Sequence, residues 1–319
     1  MIIAVAPLQG YTEAPFRHFH RRVYGPVAHA YFSPFVRMEH GDVRQRDVRD
    51  ITSPLNMNHH VVPQIIFKNV DEFRRLVDEV VSSGYDRVNL NMGCPFRPQT
   101  RQGRGAGVLL NVAELERVCG LMDEYCHVRF SVKVRLGLDD ETDWRKAAAV
   151  INAMKLEHVT VHPRTAADEY KGDLHMAEFE RVLAELEHPV IYNGDVRAPG
   201  DIEALVARYP SVAGVMIGRG LLARPSIINE WQEQREWPAE ERLQHLLRLH
   251  NGIYDHYRSV LCGDAQVLSK NQAFLGIRDT IARPQGRQSH QESHHSAALR
   301  NCRLLPQLTR EHQGRRNSR

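Results

Sequence analysis

Eight short β-branched or apolar runs alternate with amphipathic helical stretches through roughly the first 220 residues. The runs are IIAVAPL (2–8), HAYFSPF (29–35), VPQIIF (62–67), RVNLNM (87–92), RFSVKVR (129–135), HVTVH (158–162), PVIYNG (189–194) and GVMIG (214–218). Between them lie EAPFRHFHRRVY, DEFRRLVDEVVSS, VAELERVCGLMDEYC, TDWRKAAAVINAM, MAEFERVLAEL and GDIEALVARY, each with helical spacing of its apolar residues. Strand, helix, strand in strict succession predicts parallel βαβ units, and eight of them predict a closed (β/α)8 TIM barrel. The alternative is an open doubly wound sheet, but no GxGxxG follows the first strand.

The barrel is expected over residues 1–230. GLLARPSII then reads as a short helix, and residues 241–261 as a long amphipathic one. Residues 231–270 are therefore expected to begin a small helical domain, left incomplete by an aberrant tail over 271–319. No apolar run approaches the length of a membrane span, and the N-terminus lacks the order of a secretory signal. Five cysteines show no CxxC spacing, which supports neither a disulfide framework nor a zinc site. A reducing cytoplasm is the expected compartment.

The chain carries 42 lysines and arginines against 39 acids. Residues 271–319 hold nine of the arginines and only three acids, so the remaining 270 residues carry 33 basic and 36 acidic groups. Any footprint for a polyanion must then be local rather than global.

Barrel chemistry sits at the C-terminal ends of the strands. Here those ends read PLQG, Gln64, NMGCP, Lys133 with Arg135, HPRT, NGD and GRG. The glycines of NGD and GRG, followed by a short helix, suit a phosphate at strands 7 and 8. Lys133, on a barrel strand, needs an anionic partner. Cys94 follows strand 4 between Gly93 and Pro95, with Arg97, Arg101 and Arg104 close behind it. Those arginines suit a polyanionic substrate. If they lower the thiol pKa, Cys94 is a nucleophile. If the thiol stays protonated, it is a general acid.

These residues resemble the tRNA-dihydrouridine synthases, flavin enzymes that reduce a specific uridine of tRNA. The matching motifs are APLQG (6–10), SPF (33–35), NLNMGCP (89–95), RQGRGAG (101–107), VKVRLG (132–137), VHPRT (161–165), YNGD (192–195) and GVMIGRG (214–220). The likeness runs in consistent order over about residues 1–270. It implies FMN at the barrel mouth and NADPH as reductant. By that resemblance Pro7, Leu8 and Gln9 pass the flavin edge, Gln64 bonds the isoalloxazine, and Lys133 lies near its N1/O2 side. His162, Asn193, Gly194, Asp195, Gly218 and Arg219 hold the ribityl phosphate, and Cys94 protonates C5 of uracil. Asn91, Arg97, Arg101, Arg104, Arg135, Arg164 and Lys171 are the expected contacts to tRNA. No metal, no membrane and a monomeric chain are expected. Two rivals are a flavin barrel acting on a free small molecule, and a tRNA-binding flavoprotein with impaired catalysis.

The tail departs from the family pattern. Nine arginines without one lysine is the composition of a coding sequence read in the wrong frame. His-Gln-Glu-Ser-His, written CAT CAA GAA AGC CAC, becomes Ile-Lys-Lys-Ala when each first base moves to the preceding triplet. The same shift can turn GRQSHQESHHSAA into a lysine-rich helix and QAFLGI into Lys-Pro-Ser-Trp-Glu-Tyr, both resembling the C-terminal domain of the family. A one-base slip near Lys270 is therefore expected, with the tail disordered and helix 241–261 left without packing partners. Restoring the frame should raise tRNA affinity and activity at unchanged FMN content. Resequencing the coding DNA checks this: if no single-base shift opens the lysine-rich frame, the idea is dead.

Overall fold

A computed structural model describes residues 1–57, 59–263, 265–267 and 270. Along the chain the elements are β1 (Ile2–Val5), α1 (Ala14–Tyr24), β2 (Ala30–Phe32), β3 (Val36–Glu39), β4 (Asp42–Val43), α2 (Gln45–Ile51), β5 (Val61–Val62), β6 (Gln64–Ile66) and α3 (Val70–Ser82). There follow β7 (Arg87–Met92), α4 (Arg97–Thr100), α5 (Val112–Met122), β8 (Arg129–Gly137), α6 (Trp144–Ala153), β9 (Leu156–Thr165), α7 (Met176–Glu185) and β10 (Val190–Tyr192). The last are α8 (Pro199–Arg208), β11 (Gly214–Ile217), α9 (Arg219–Ala223), α10 (Ile227–Gln232) and α11 (Ala239–Val260).

All eight expected strands are present, and the sheet closes. β11 pairs with β1, β1 with β2, and β2 with β5, while β6 pairs onward with β7; all are parallel. β5 and β6 are one strand divided at Pro63, which has no N–H to donate. Its neighbour continues from β2 into β3. Phe32 faces Val62 and Val36 faces Ile65, so four steps on one strand match three on the other. Ser33 fills this bulge, its Oγ accepting from the Gln64 amide at 3.2 Å. The barrel is thus complete at its third strand.

β1 shows how the layers form. Ile3 and Val5 join the outer core beneath the helices, and Ala4 and Ala6 turn inward beside Phe32, Val62, Ile191 and Met216. On β8 the outward Val132, Val134 and Leu136 alternate with Ser131, Lys133 and Arg135. The inner face therefore turns from apolar to polar towards the strand ends.

The return of β3 through β4 and helix α2 was not foreseen; β4 and α2 insert between the second and third strands of the barrel. The expectation that helix 241–261 lacks packing partners is overturned by α1. Leu246, Leu249 and Ile253 of α11 are buried, Gly252 lies so close to Phe19 that a Cβ would sit 2.4 Å from its ring, and Tyr257 donates to Glu13 at 3.3 Å. The tail 271–319, with the proposed frame slip, lies outside the described residues.

Candidate active site

The end of β7 is set by a chain of amides whose direction is forced. Asn91 Oδ1 accepts from the backbone N–H groups of Gly93 at 3.2 Å and Cys94 at 2.9 Å. Its Nδ2 must then donate, and does so to Gln64 Oε1 at 2.7 Å. Gln64 Nε2 in turn donates to Asn89 Oδ1 at 2.6 Å, and Asn89 Nδ2 to Ser131 Oγ at 2.8 Å. Asn91 was expected to touch substrate. The structure gives it another place, buried and holding the Cys94 turn. Gln64 is fully buried, and each end of its amide already has one partner.

Gly105 explains the glycines of RQGRGAG. Its φ of +58° and a virtual Cβ 2.7 Å from the Cys94 carbonyl oxygen admit no side chain, and the Ala106 amide donates to that same oxygen at 3.2 Å. Cys94 is thereby held at the strand end by backbone bonds on both sides. Burial pushes its thiol above the ordinary value, against the Phe96 amide and the charges of Arg135, Lys133 and Arg37. At neutral pH the thiol is protonated. Of the two chemistries left open by the sequence, this environment suits the acid.

Beside it stands Lys133. Burial, and then the Arg135 charge, push its ammonium down to about 7. Among the described residues it has no carboxylate or hydrogen-bond partner. Such a cation calls for an anionic or strongly accepting group.

Beyond β8 the cations gather. Arg164 donates to both oxygens of Asp195 at 3.1 and 2.7 Å, and Arg219 reaches the same carboxylate at 2.8 Å. Arg197 stands 3.4 Å from it. Burial acts to raise Asp195, but the bonds and charges of Arg164, Arg219 and Arg197 hold it below the usual carboxylate range. Three arginines thus share one carboxylate, and Arg135 with Lys133 lies next in the same run of cations, since Arg164 is felt at Arg135 and Arg135 at Lys133. His162 sits among them, driven well below its ordinary value by burial and by Arg135, Lys133, Arg164 and Arg219. It is neutral, and its Nε2 accepts from Arg164 Nη1 at 3.2 Å, leaving Nδ1–H to donate. Asp195 itself has φ of 37°, a conformation few non-glycine residues adopt. The set of donors fits an anion, and α9, only five residues long, contributes less than the side chains do.

Asn193 ties β10 to β11, donating to the Met216 carbonyl at 2.8 Å. Pro7 and Leu8 are half-buried at the end of β1, where the Leu8 amide is held by Thr12 Oγ1 at 2.8 Å, whereas Gln9 is exposed and faces a neighbouring cavity. Gly194 and Gly218 follow the ends of β10 and β11 as expected.

The arginines after Cys94 divide. Arg97 and Arg101 are exposed and bear no side-chain partner among the described residues. Arg104 is corrected: it is 6% exposed and binds Glu72 through Nε at 2.9 Å and Nη2 at 2.6 Å. An arginine so placed cannot meet RNA without taking two bonds from the buried Glu72, which would keep only the Lys68 amide at 3.2 Å and its ammonium at 3.6 Å. Arg104→Met should therefore cost about 3–5 kcal/mol of stability. The salt slope of tRNA binding should stay as it was, whereas Arg97→Ala with Arg101→Ala should flatten that slope by about two at unchanged Tm. Melting curves and affinities across a salt series distinguish the two.

Two residues escaped sequence reasoning. Tyr170, 44% exposed, lies with its ring 5.1 Å from the Arg135 guanidinium and 4.6 Å from that of Arg219. Phe96, 60% exposed, directly follows Pro95 at the thiol. Aromatic residues next to strand ends were the available signal. Lys171 is exposed beside Tyr170.

The family model described as Dihydrouridine synthase (Dus) matches residues 4–298. A protein of Bacillus subtilis (strain 168) named "Probable tRNA-dihydrouridine synthase 2" is 27% identical over 261 residues, covering 79% of this chain and 78% of its own. "Probable tRNA-dihydrouridine synthase" of Staphylococcus aureus (strain Mu50 / ATCC 700699) is 26% identical over 268 residues, with 79% and 77% covered. Among solved structures, morphinone reductase superposes with a TM-score of 0.50 at 10% identity, over 74% of this chain and 86% of its own. That likeness is one of fold, and it agrees with the closed barrel.

Proposed function

This chain belongs to the dihydrouridine synthase family, and from that premise we propose that it reduces a uridine of tRNA to 5,6-dihydrouridine, with FMN at the barrel mouth and NADPH as reductant. One observation carries this reading: a protonated thiol, Cys94, is fixed by Asn91 beside an unpaired, half-buried ammonium, Lys133, and a cluster of cations. FMN fits that set, since Lys133 calls for an electron-rich ring edge, and the neutral His162 with Arg164 and Arg219 suits a phosphate. Bound there and reduced by NADPH, FMN would supply the hydride for C6 of uracil.

The residues do the rest. Cys94 gives the proton for C5, so the double bond takes up one hydride and one proton, and solvent restores the thiol. The uridine must leave its stack to reach the mouth, at a cost of a few kcal/mol. Arg97, Arg101 and Lys171 are all exposed, which supports a role for them in meeting the phosphates on either side. Phe96 offers a ring on which an unstacked base can lie, worth about 1–3 kcal/mol. Arg135 and Arg164, buried, serve the anion within the mouth rather than the RNA strand.

The purified protein should be yellow with non-covalent FMN. It should also form dihydrouridine, with NADPH, in tRNA from a strain lacking that base. A colourless protein that takes up no FMN on titration sinks this reading. So does equal turnover of free uridine or dihydroorotate without tRNA.

A further inference from the structure

A cavity of about 220 Å³ opens beside the mouth, lined by Arg37, Arg44 and Arg46 and by Glu13, Asp47 and Asp50. Two of these carboxylates are fully engaged. Asp50 accepts from the Ala14 amide at 2.6 Å and from Arg17 at 2.9 Å. Glu13 takes Arg46 at 3.4 Å, the Tyr257 hydroxyl at 3.3 Å, and Lys270. Asp47 differs. Its Oδ1 accepts from Arg44 at 3.2 Å, while Oδ2, buried, has no hydrogen-bond partner among the described residues and lies 4.0 Å from Arg37 Nε. Burial pushes this carboxyl up in spite of Arg37 and Arg44.

A buried acceptor without a donor is costly, so the site is incomplete as it stands. Its charges say what completes it. Three carboxylates disfavour a phosphate, three arginines disfavour a metal ion, and an apolar guest leaves Asp47 bare. A neutral, planar group with N–H donors and acceptors on neighbouring edges meets both the bare carboxylate oxygen and the arginines. In RNA that group is a base. Guanine presents N1–H and N2–H side by side, and its O6 and N7 are the usual partners of arginine. The volume lies below the roughly 300–1,000 Å³ of drug-sized pockets, which suits one ring system rather than a nucleotide.

We propose that this cavity holds a guanine of the tRNA, with Asp47 accepting from its N–H edge and Arg37 facing its O6/N7 edge. The inference rests on the tRNA reading above. It places the guanine close to the reduced uridine along the strand, because Gln9 of the cavity continues directly from Pro7 and Leu8 at the end of β1. Asp47 and Arg37 thereby become specificity-determining residues.

The test uses the full chain with FMN and a set of tRNA transcripts. In each, one guanosine within about three nucleotides of the reduced uridine is replaced by inosine, which lacks the N2 amine, or by adenosine. Wild type should lose about 10-fold in kcat/KM for inosine at one such position. Asp47→Asn should lose a similar factor on the parent transcript, show no further loss with inosine there, and shift its preference towards adenosine, the base that asparagine pairs with. FMN content and flavin reduction by NADPH report that the variant is folded. The proposal is overturned if no guanosine replacement matters to wild type. It is equally overturned if the losses from variant and transcript multiply as for independent sites, or if Asp47→Asn keeps wild-type discrimination. Failure of the broader reading looks different: wild type then forms no dihydrouridine on any transcript, and both fall together.

Discussion

Cys94→Ala is expected to lower the rate of uracil reduction by roughly 10²–10⁴ while NADPH reduces the flavin at nearly the wild-type rate. The loss should be chemical rather than structural. Asn91 grips the backbone N–H of Cys94, and Ala106 donates to its carbonyl, so neither bond involves the sulfur. The loop keeps its path when Sγ is removed. The pH dependence carries a second signature. Because burial raises the thiol, the proton donor is present through neutrality and is lost only as pH climbs past the ordinary thiol value of about 8.5. Wild-type reduction should fall on that alkaline limb, and the alanine variant should lack the limb. Stopped-flow measurement of the two half-reactions separates these effects. An oxidative half-reaction at wild-type speed in the variant would remove Cys94 from the chemistry.

The barrel was legible because each strand is a short apolar run with its own period, and such local patterns survive without knowledge of partners. Cys94 was legible for a similar reason: Gly93 and Pro95 mark a strand end. The failures are all non-local. Three arginines in one run look alike, and only Glu72, 32 residues away, decides that Arg104 turns inward while Arg97 and Arg101 stay in solvent. Asn91 reads as a polar side chain at the mouth, and its work in holding the thiol depends on Gln64 from another strand. The bulge at Ser33 and the division at Pro63 need the register between two strands, which no single strand carries. Tyr170 lies in a loop of mixed charge, and its value comes from guanidinium groups on β8 and α9. The cavity at Asp47 has the same origin. Its walls come from three segments, each ordinary when read alone.

Lys133→Met should make the flavin-free protein more stable and the flavin-loaded protein harder to form. The sign follows from proton counts. Unfolded, the lysine titrates near 10.5; folded, burial and Arg135 bring it down to about 7. Below pH 7 both states hold the proton and the folded state bears the full cost of the buried charge. Between about 7 and 10.5 the unfolded state binds more protons, so stability rises with pH, and above that range the cost has gone. Methionine removes the cost at its source. The flavin-free variant should therefore gain on the order of 3–5 kcal/mol at pH 6, progressively less towards pH 10, and lose the wild-type slope between them. FMN reverses the ranking. Bound FMN would give the Lys133 ammonium the electron-rich partner it lacks, and the variant would forfeit that contact, weakening FMN by about 10²-fold. Melting temperatures of both flavin-free proteins across pH, with FMN titrations followed by flavin fluorescence, test the two halves together. A variant no more stable than wild type at pH 6 would mean that another group already neutralises Lys133. Undiminished FMN affinity would mean that the ring edge lies elsewhere. The gain and the loss are coupled: the same unpaired charge that destabilises the flavin-free barrel is what makes its mouth receptive to the cofactor.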